Sequence, residues 1–171
     1  MTLKTETYLI RDDGTIPNNE RLPLVVYRSA IVVPSTEEAV QEFRRRFTGH
    51  GWGGLWVNGI YDFHHYHARS HEILGIAGGE AEVQFGGPSG PILTLHPGDA
   101  VAIPAGVGHC RRSAAEGLVV VGAYPRGQED WDLKRATAAD WTQALKEIPQ
   151  VSLPPNDPIT GEVGGIVDYW R

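Results

Sequence analysis

Between residues 59 and 124 the chain is divided into short strand-like segments that are separated by turn-forming glycine and proline. Residues 73–77 form a continuous apolar run, and Gly78-Gly79 then leads into the alternating segment 81–85. Further short segments follow at 92–95, 99–103, 108–113 and 118–124. Short strands with turns roughly every 8–12 residues are typical of a β-sandwich or β-barrel. The sequence therefore predicts an all-β fold for this part of the chain.

A first helix is predicted on the N-terminal side of this β-rich part. Ser35 precedes Glu38 by three positions, which is the spacing of a helix N-terminal capping box. Apolar residues recur at helical spacing after it, and Gly49 and Gly51 are typical of a helix end. We therefore expect a helix over residues 36–48. Two strand-like stretches precede it, at residues 5–10 and 22–33.

The C-terminal part of the chain has a different texture. A second helix is expected from Thr137, because Trp141, Leu145 and Ile148 recur at helical spacing and would form its packed side. Residues 149–171 carry four prolines and several glycines, so they should be extended and irregular. Such a tail could wrap the barrel, cover a pocket or reach a second subunit.

The composition bounds the number of domains. A length of 171 residues, with 41% hydrophobic residues and a formal net charge of −6, fits one soluble globular domain with a sizeable core. We expect that domain to span residues 1–171, with the barrel core at about 52–125. Residues 1–51 would add N-terminal strands and a helix, and residues 126–171 would add the C-terminal helix and tail.

Charge and hydropathy argue against several classes of partner. The acidic balance disfavours a nucleic-acid surface, which needs clustered lysine and arginine. No apolar run reaches the roughly 18 residues of a membrane span, and the polar N terminus lacks a signal-peptide core, so we expect a cytoplasmic protein. The lone cysteine, Cys110, excludes an intrachain disulfide and is expected to be inert.

Four of the seven histidines lie within residues 64–71, and their spacing predicts a metal site. Side chains alternate along a strand, so His65 and His67 share one face, with Cα atoms roughly 6.6 Å apart. Two imidazoles at that spacing can converge on one ion. Glu72 offers an oxygen nearby, and His109 would be brought back by the fold as the fourth ligand.

Other histidines compete for this role. Alternation places His64 on the opposite face of the strand, where an ordinary surface position is expected. His71 directly precedes Glu72 and should point away from the site if that segment is extended. His50 and His96 occupy turn-like contexts and are expected to be solvated.

These residues resemble the two motifs of the cupin superfamily. The first motif reads Gly, five residues, His-x-His, four residues, Glu, six residues and Gly, and it matches from Gly59 to Gly79. The second begins at Gly98, passes through Pro104, Gly106 and His109, and ends on Ser113, where the family usually has Asn. The chain also resembles small bacterial single-domain cupins of uncharacterised function.

The resemblance implies a cupin-type jelly-roll β-barrel with one or two flanking helices and an irregular C-terminal tail. It also implies that His65, His67, Glu72 and His109 bind one divalent transition metal. A site of three histidines and one carboxylate suits Fe, Mn, Ni, Co or Zn, and the sequence does not choose among them. Homodimers are common among cupins, so we expect a homodimer.

The predicted pocket beside this site suggests a reaction on a small molecule. Tyr61 and Phe63 share the face of His65, and Arg111 shares the face of His109. Arg111 could pair with an anionic substrate group and Tyr61 could donate a proton, although both residues also have structural explanations. The resulting hypothesis is a metal-dependent enzyme of dioxygenase or isomerase type. The alternative is a non-catalytic cupin that binds a small ligand or a metal.

Overall fold

The computed structural model describes residues 3–171, and Met1 and Thr2 lie outside that part of the chain. The strands are β1 (Lys4–Tyr8), β2 (Leu24–Arg28), β3 (Trp52–Asn58), β4 (His65–Tyr66), β5 (Glu72–Gly78), β6 (Ala81–Phe85), β7 (Ile92–Leu95), β8 (Ala100–Ile103), β9 (His109–Ala114), β10 (Val119–Pro125) and β11 (Lys134–Arg135). The helices are α1 (Thr36–Gly49), α2 (Ala138–Glu147) and α3 (Ile166–Tyr169), and a 3-10 turn spans Ile148–Gln150.

The strands form two antiparallel sheets. The six-stranded sheet has the order β1-β2-β8-β5-β10-β3, and the five-stranded sheet has the order β11-β4-β9-β6-β7. Sequence neighbours are often separated in this order, as in a jelly roll, so the chain alternates between sheets as it winds. The predicted all-β jelly-roll fold is confirmed.

The space between the sheets is filled by inward-facing aliphatic residues from both. In β2, Leu24 and Val26 face this core, whereas Val25 and Tyr27 point to the opposite face of the sheet. Phe85 of β6 meets the core from the other sheet. Because side chains alternate along each strand, the six-stranded sheet has two apolar faces and must be covered on both.

The outer face of the six-stranded sheet is covered by α1 and by the C-terminal tail. Phe43 and Phe47 of α1 are fully buried there. Ile166 and Trp170 of the tail are almost completely buried. Ser35 Oγ accepts a hydrogen bond from the Glu38 amide at 3.2 Å, so α1 begins where the sequence predicts. Burial of these aromatic side chains supplies much of the stability of this layer.

Asp157 is the polar anchor of the tail, and it is completely buried. Its Oδ1 accepts hydrogen bonds from the amides of Ile159 and Thr160 at 2.7 and 2.8 Å. Its Oδ2 accepts from the Ile166 amide at 2.7 Å and from the Tyr27 hydroxyl. Burial and the Asp157 charge raise the pKa of Tyr27 well above its ordinary value, so this hydroxyl stays protonated and donates.

The second helix differs in part from the prediction. It is present as α2, but Leu145 is 41% exposed and Ala144 takes the buried position instead. The helical ladder ends at Glu147, and Pro149 lies inside the following 3-10 turn. Helical spacing therefore misplaced Leu145, whereas Ile148 is partly buried against the same cluster as Ala144. All helices within residues 3–171 fall short of the length and apolarity that crossing a membrane requires.

Candidate metal centre

Four polar side chains contributed by both sheets are brought together in the interior. His65 begins β4 and pairs directly with His109, which begins β9 of the same sheet. Glu72 begins β5 in the opposite sheet. His65, His67, Glu72 and His109 are each less than 7% exposed, at 3, 6, 3 and 2% respectively. Buried polar groups of this kind need compensating partners.

The loop before β9 holds the position of His67, which follows β4. The Gly106 amide donates a hydrogen bond to the His67 carbonyl at 2.7 Å. Residue 106 has a φ of +91°, and a Cβ there would lie 2.3 Å from the carbonyl oxygen of Asn18. Glycine is therefore required at this position for the loop to reach the histidine strand.

His67, Glu72 and His109 offer ligand atoms that all lie within 4.8 Å of one another. Glu72 Oε2 is 3.3 Å from His67 Nε2 and 3.2 Å from His109 Nε2. The His65 ring lies against the His109 ring, with centroids 4.1 Å apart, and 6.2 Å from the His67 ring. The structure thus groups three of the four predicted ligands tightly and places His65 beside them.

The hydrogen bonds of the three rings fix their tautomers. The Nδ1 atoms of His65 and His109 lie 2.9 and 3.2 Å from the carbonyl oxygens of Phe63 and Val107. His67 Nδ1 lies against the carbonyl oxygen of Asp132. A carbonyl oxygen only accepts, so each Nδ1 carries the proton and each neutral ring presents a bare Nε2 lone pair. This is the arrangement that orients histidine ligands on a metal.

The electrostatics of the cluster call for a cation. Burial alone raises the pKa of Glu72, but the adjacent His67 and His109 outweigh it and hold the pKa below its ordinary value. Burial, and next the neighbouring His109, lower the pKa of His65 to about 3. Burial lowers the pKa of His67, but the charge of Glu72 outweighs this effect and the net pKa is raised. An ionised carboxylate thus faces the imidazoles of His67 and His109.

The donor set fits a divalent transition metal. Glu72 Oε2 is buried and makes no hydrogen bond of acceptable geometry with residues 3–171, although two imidazole nitrogens lie within 3.3 Å. Two bare lone pairs and a carboxylate oxygen repel one another at this distance unless a proton or a metal ion lies between them. Three imidazole nitrogens and one carboxylate oxygen suit Zn, Fe, Mn, Co and Ni.

A cavity of about 690 Å³ adjoins this cluster and is lined by Glu72 and the three histidines. Tyr61 and Arg111, the two predicted pocket residues, both line it. Tyr61 is 50% exposed, so it lies near the mouth of the cavity. Phe63, which the sequence also assigned to the wall, is absent from the lining within residues 3–171 and instead stacks on Tyr61, with centroids 4.8 Å apart.

The other histidines lie away from the cavity lining. His71 is buried, its Nδ1 accepts the Ala105 amide at 2.9 Å, and its ring packs on Trp170. The expectation that it points away from the site agrees with this position. His50 differs from its expected solvated state, because its Nδ1 donates to the Pro158 carbonyl at 2.9 Å and holds the tail.

Two features of the site gave no signal in the sequence. Tyr124 and Trp131 stack on each other beside the His67 ring, with Tyr124–Trp131 centroids 5.8 Å apart, and form an aromatic wall of the cavity. The Asp132 carboxylate accepts the amides of Ala68 and Arg69 at 3.0 Å, which ties the loop before β11 to His67. The aromatic wall and the Asp132 contacts both depend on packing between distant segments, which no local sequence motif indicates.

Comparison with known proteins identifies the family. The Cupin family profile matches residues 58–149, a span that contains all four clustered residues. The uncharacterised protein YjlB of Bacillus subtilis is 41% identical over 170 residues, covering 99% of this chain and 99% of its own.

Solved structures also match the chain, at lower sequence identity. Acireductone dioxygenase from Bacillus anthracis, solved with a cadmium ion in its active centre, is 13% identical with a TM-score of 0.39, and the match covers 74% of this chain and 79% of that one. A cupin 2 domain-containing protein from Halorhodospira halophila is 16% identical with a TM-score of 0.37, and the match covers 85% of this chain and 77% of that one. From its sequence motifs, family match and full-length relative, the chain belongs to the cupin family.

Proposed function

We propose that His65, His67, Glu72 and His109 bind one divalent transition metal, and that the protein is an enzyme acting on a small polar molecule. One observation carries this proposal: histidine Nε2 atoms with bare lone pairs lie beside the buried Oε2 of Glu72, which has no hydrogen-bond partner within residues 3–171. The adjoining cavity of about 690 Å³ falls in the size range of small-molecule sites. A buried charge cluster that opens on such a cavity favours chemistry over a purely structural role.

The protein's own residues define what this site can do. When bound, a metal of this kind supplies Lewis-acid polarisation of a substrate oxygen or a position for O₂, which correspond to isomerase-type and dioxygenase-type reactions. The Tyr124 hydroxyl accepts the Trp56 indole N–H at 3.0 Å. Burial, and next the charge of Glu72, raise the pKa of Tyr124, so it stays protonated and can donate a hydrogen bond into the cavity.

Zinc affinity should depend on pH in a manner set by His67. Because its pKa is raised above 6.5, a proton competes with zinc for Nε2 already near neutral pH. His65, with a pKa of about 3, is neutral throughout this range and adds no competing proton. We therefore expect affinity to fall by at least about tenfold per pH unit as the solution is acidified below that pKa, in competition titrations with a chromogenic chelator.

The control for this titration is His96→Ala, since the His96 side chain is 58% exposed and should not alter the profile. An affinity that stays constant from about pH 8 down to about pH 5 would contradict histidine ligation. A fall of about a thousandfold per pH unit would require three competing protons and would contradict the conclusion that His65 adds none.

A further inference from the structure

Arg111 is held in a fixed orientation on the cavity wall. Its backbone amide donates to the Tyr61 carbonyl at 2.9 Å, and its Nε donates to the Ile60 carbonyl at 3.0 Å. These two bonds attach the arginine to the segment that follows β3. The Nε bond occupies one edge of the guanidinium, so the fork of two Nη atoms is the part left for other partners.

This fork has no acidic partner within residues 3–171. Arg111 forms no salt bridge there, and no hydrogen bond from its Nη atoms is present. By contrast, Arg28 pairs with Glu6 and Asp99, and Arg46 pairs with Glu42 at 2.7 Å. A partly buried guanidinium that faces a cavity without a carboxylate is suited to an anionic ligand, because its planar fork matches a carboxylate bidentately.

The charge balance of the cavity also favours an anionic ligand. Apart from the histidines, Glu72 and Arg111 carry the formal charges among the described lining residues. A divalent ion held at the histidine cluster would outweigh the single charge of Glu72, and Arg111 adds a further positive charge. A cavity with this excess attracts anions and rejects cations.

The remaining lining is largely apolar and aromatic. Its large apolar members are Trp56, Ile60, Leu74, Leu118, Tyr124 and Trp131. Burial against such surfaces favours a ligand with an apolar or aromatic body. Arg111 follows His109 by two residues, roughly 7 Å along a strand, so one small molecule can contact the fork and reach the histidine cluster.

We propose that the cavity binds a small organic carboxylate, whose carboxylate pairs with the Nη fork of Arg111 and whose apolar body packs on the Tyr124–Trp131 wall. This inference rests on the proposed function, because it names the class of molecule that would share the cavity with the metal. Arg111 acts here as a ligand-binding and specificity-determining residue. Neutral molecules of the same shape leave its fork unpaired and bind more weakly.

The test is calorimetric binding of benzoate and hexanoate to the zinc-loaded protein, beside the matched neutral probes benzamide and hexanamide. We expect at least one carboxylate to bind at least about tenfold more tightly than its amide. Arg111→Gln should weaken carboxylate binding by roughly 10- to 100-fold, and Arg111→Lys should fall between the two. Arg112→Gln is the matched control, because Arg112 is exposed and hydrogen-bonds Gln84 at 3.3 Å.

Zinc stoichiometry, measured on the same samples, separates this inference from the proposed function. If the wild-type protein binds zinc and Arg111→Gln keeps the carboxylate affinity, the inference is overturned and the metal site stands. Equal affinity for acids and amides, or no binding of any probe, also overturns it. If the protein binds no zinc, the proposed function fails, and carboxylate binding to the metal-free protein that depends on Arg111 still supports the pairing.

Discussion

Replacement of Asp157 by alanine is expected to lower the free energy of unfolding by about 3–5 kcal/mol. Its carboxylate accepts hydrogen bonds from three tail amides and from the Tyr27 hydroxyl, all around a residue with 0% exposure. The substitution leaves these donors without an acceptor, and it loosens Ile166 and Trp170 on the outer face of the six-stranded sheet. Urea denaturation followed by circular dichroism measures the loss.

Asp168→Ala is the matched control for this experiment, because Asp168 lies on the same tail but is exposed, and we expect it to change stability by less than about 0.5 kcal/mol. If Asp157→Ala does not fold, Tyr27→Phe removes one donor alone and should cost roughly 1–2 kcal/mol. A stability within about 1 kcal/mol of wild type for Asp157→Ala would mean that the tail is not anchored through this carboxylate.

Glu72→Gln is expected to weaken zinc binding by at least roughly 10- to 100-fold. A loss of that size is typical when a residue that only hydrogen-bonds to a metal ligand is replaced, and a ligand itself should matter at least as much. The substitution keeps the shape of the side chain but removes the charge that balances the cation. In addition, the amide nitrogen can donate to the Nε2 lone pairs of His67 and His109, which lie 3.2–3.3 Å from Oε2. Competition with a chromogenic chelator at fixed pH measures the change.

Glu80→Gln serves as the control for charge removal, since the Glu80 side chain is 53% exposed. It should bind zinc as the wild type does, because a distant exposed charge is largely screened. Unchanged zinc affinity in Glu72→Gln, with the fold intact by circular dichroism, would exclude Glu72 as a ligand and restrict the proposed site to the histidines.

The parts of the fold that the sequence predicts well are those with local signals. The hairpin of β6 and β7 matches the predicted segments residue for residue, because the Gly86–Gly90 loop interrupts two alternating apolar runs. The first helix likewise begins after Ser35, whose hydroxyl caps it. Turn glycines and capping side chains act within a few residues, so a single sequence records them.

The parts that the sequence does not predict depend on contacts between distant segments. The strand predicted around the histidines is only His65–Tyr66, because β4 pairs with β9 and β11 over a short length. The Asp132 carbonyl that orients His67 lies 65 residues further along the chain. Leu145 is exposed because the helix packs through the smaller Ala144. In each case, the neighbouring residues in the sequence do not indicate which distant residue the position contacts.

The same distinction applies to the candidate site. The ligand types and their spacing can be read from the sequence, because His-x-His on one strand and a nearby carboxylate form a local pattern. The tautomers cannot. That of His67 depends on the distant carbonyl of Asp132, and those of His65 and His109 depend on how the backbone turns the carbonyls of Phe63 and Val107, two residues earlier, towards the rings. Those carbonyls decide which ring nitrogen faces the centre of the cluster, and so they decide whether the histidines can act together.

The central claim is that these histidines and Glu72 form a metal site, and elemental analysis tests it most directly. The protein would be purified without added metal or a metal-binding tag, beside His109→Ala and the exposed-histidine control His96→Ala. We predict near one equivalent of a single transition metal in the wild type and in His96→Ala, and its loss in His109→Ala. Equal metal content in all three proteins, or none in any of them even after reconstitution with zinc, iron or manganese, would contradict the account.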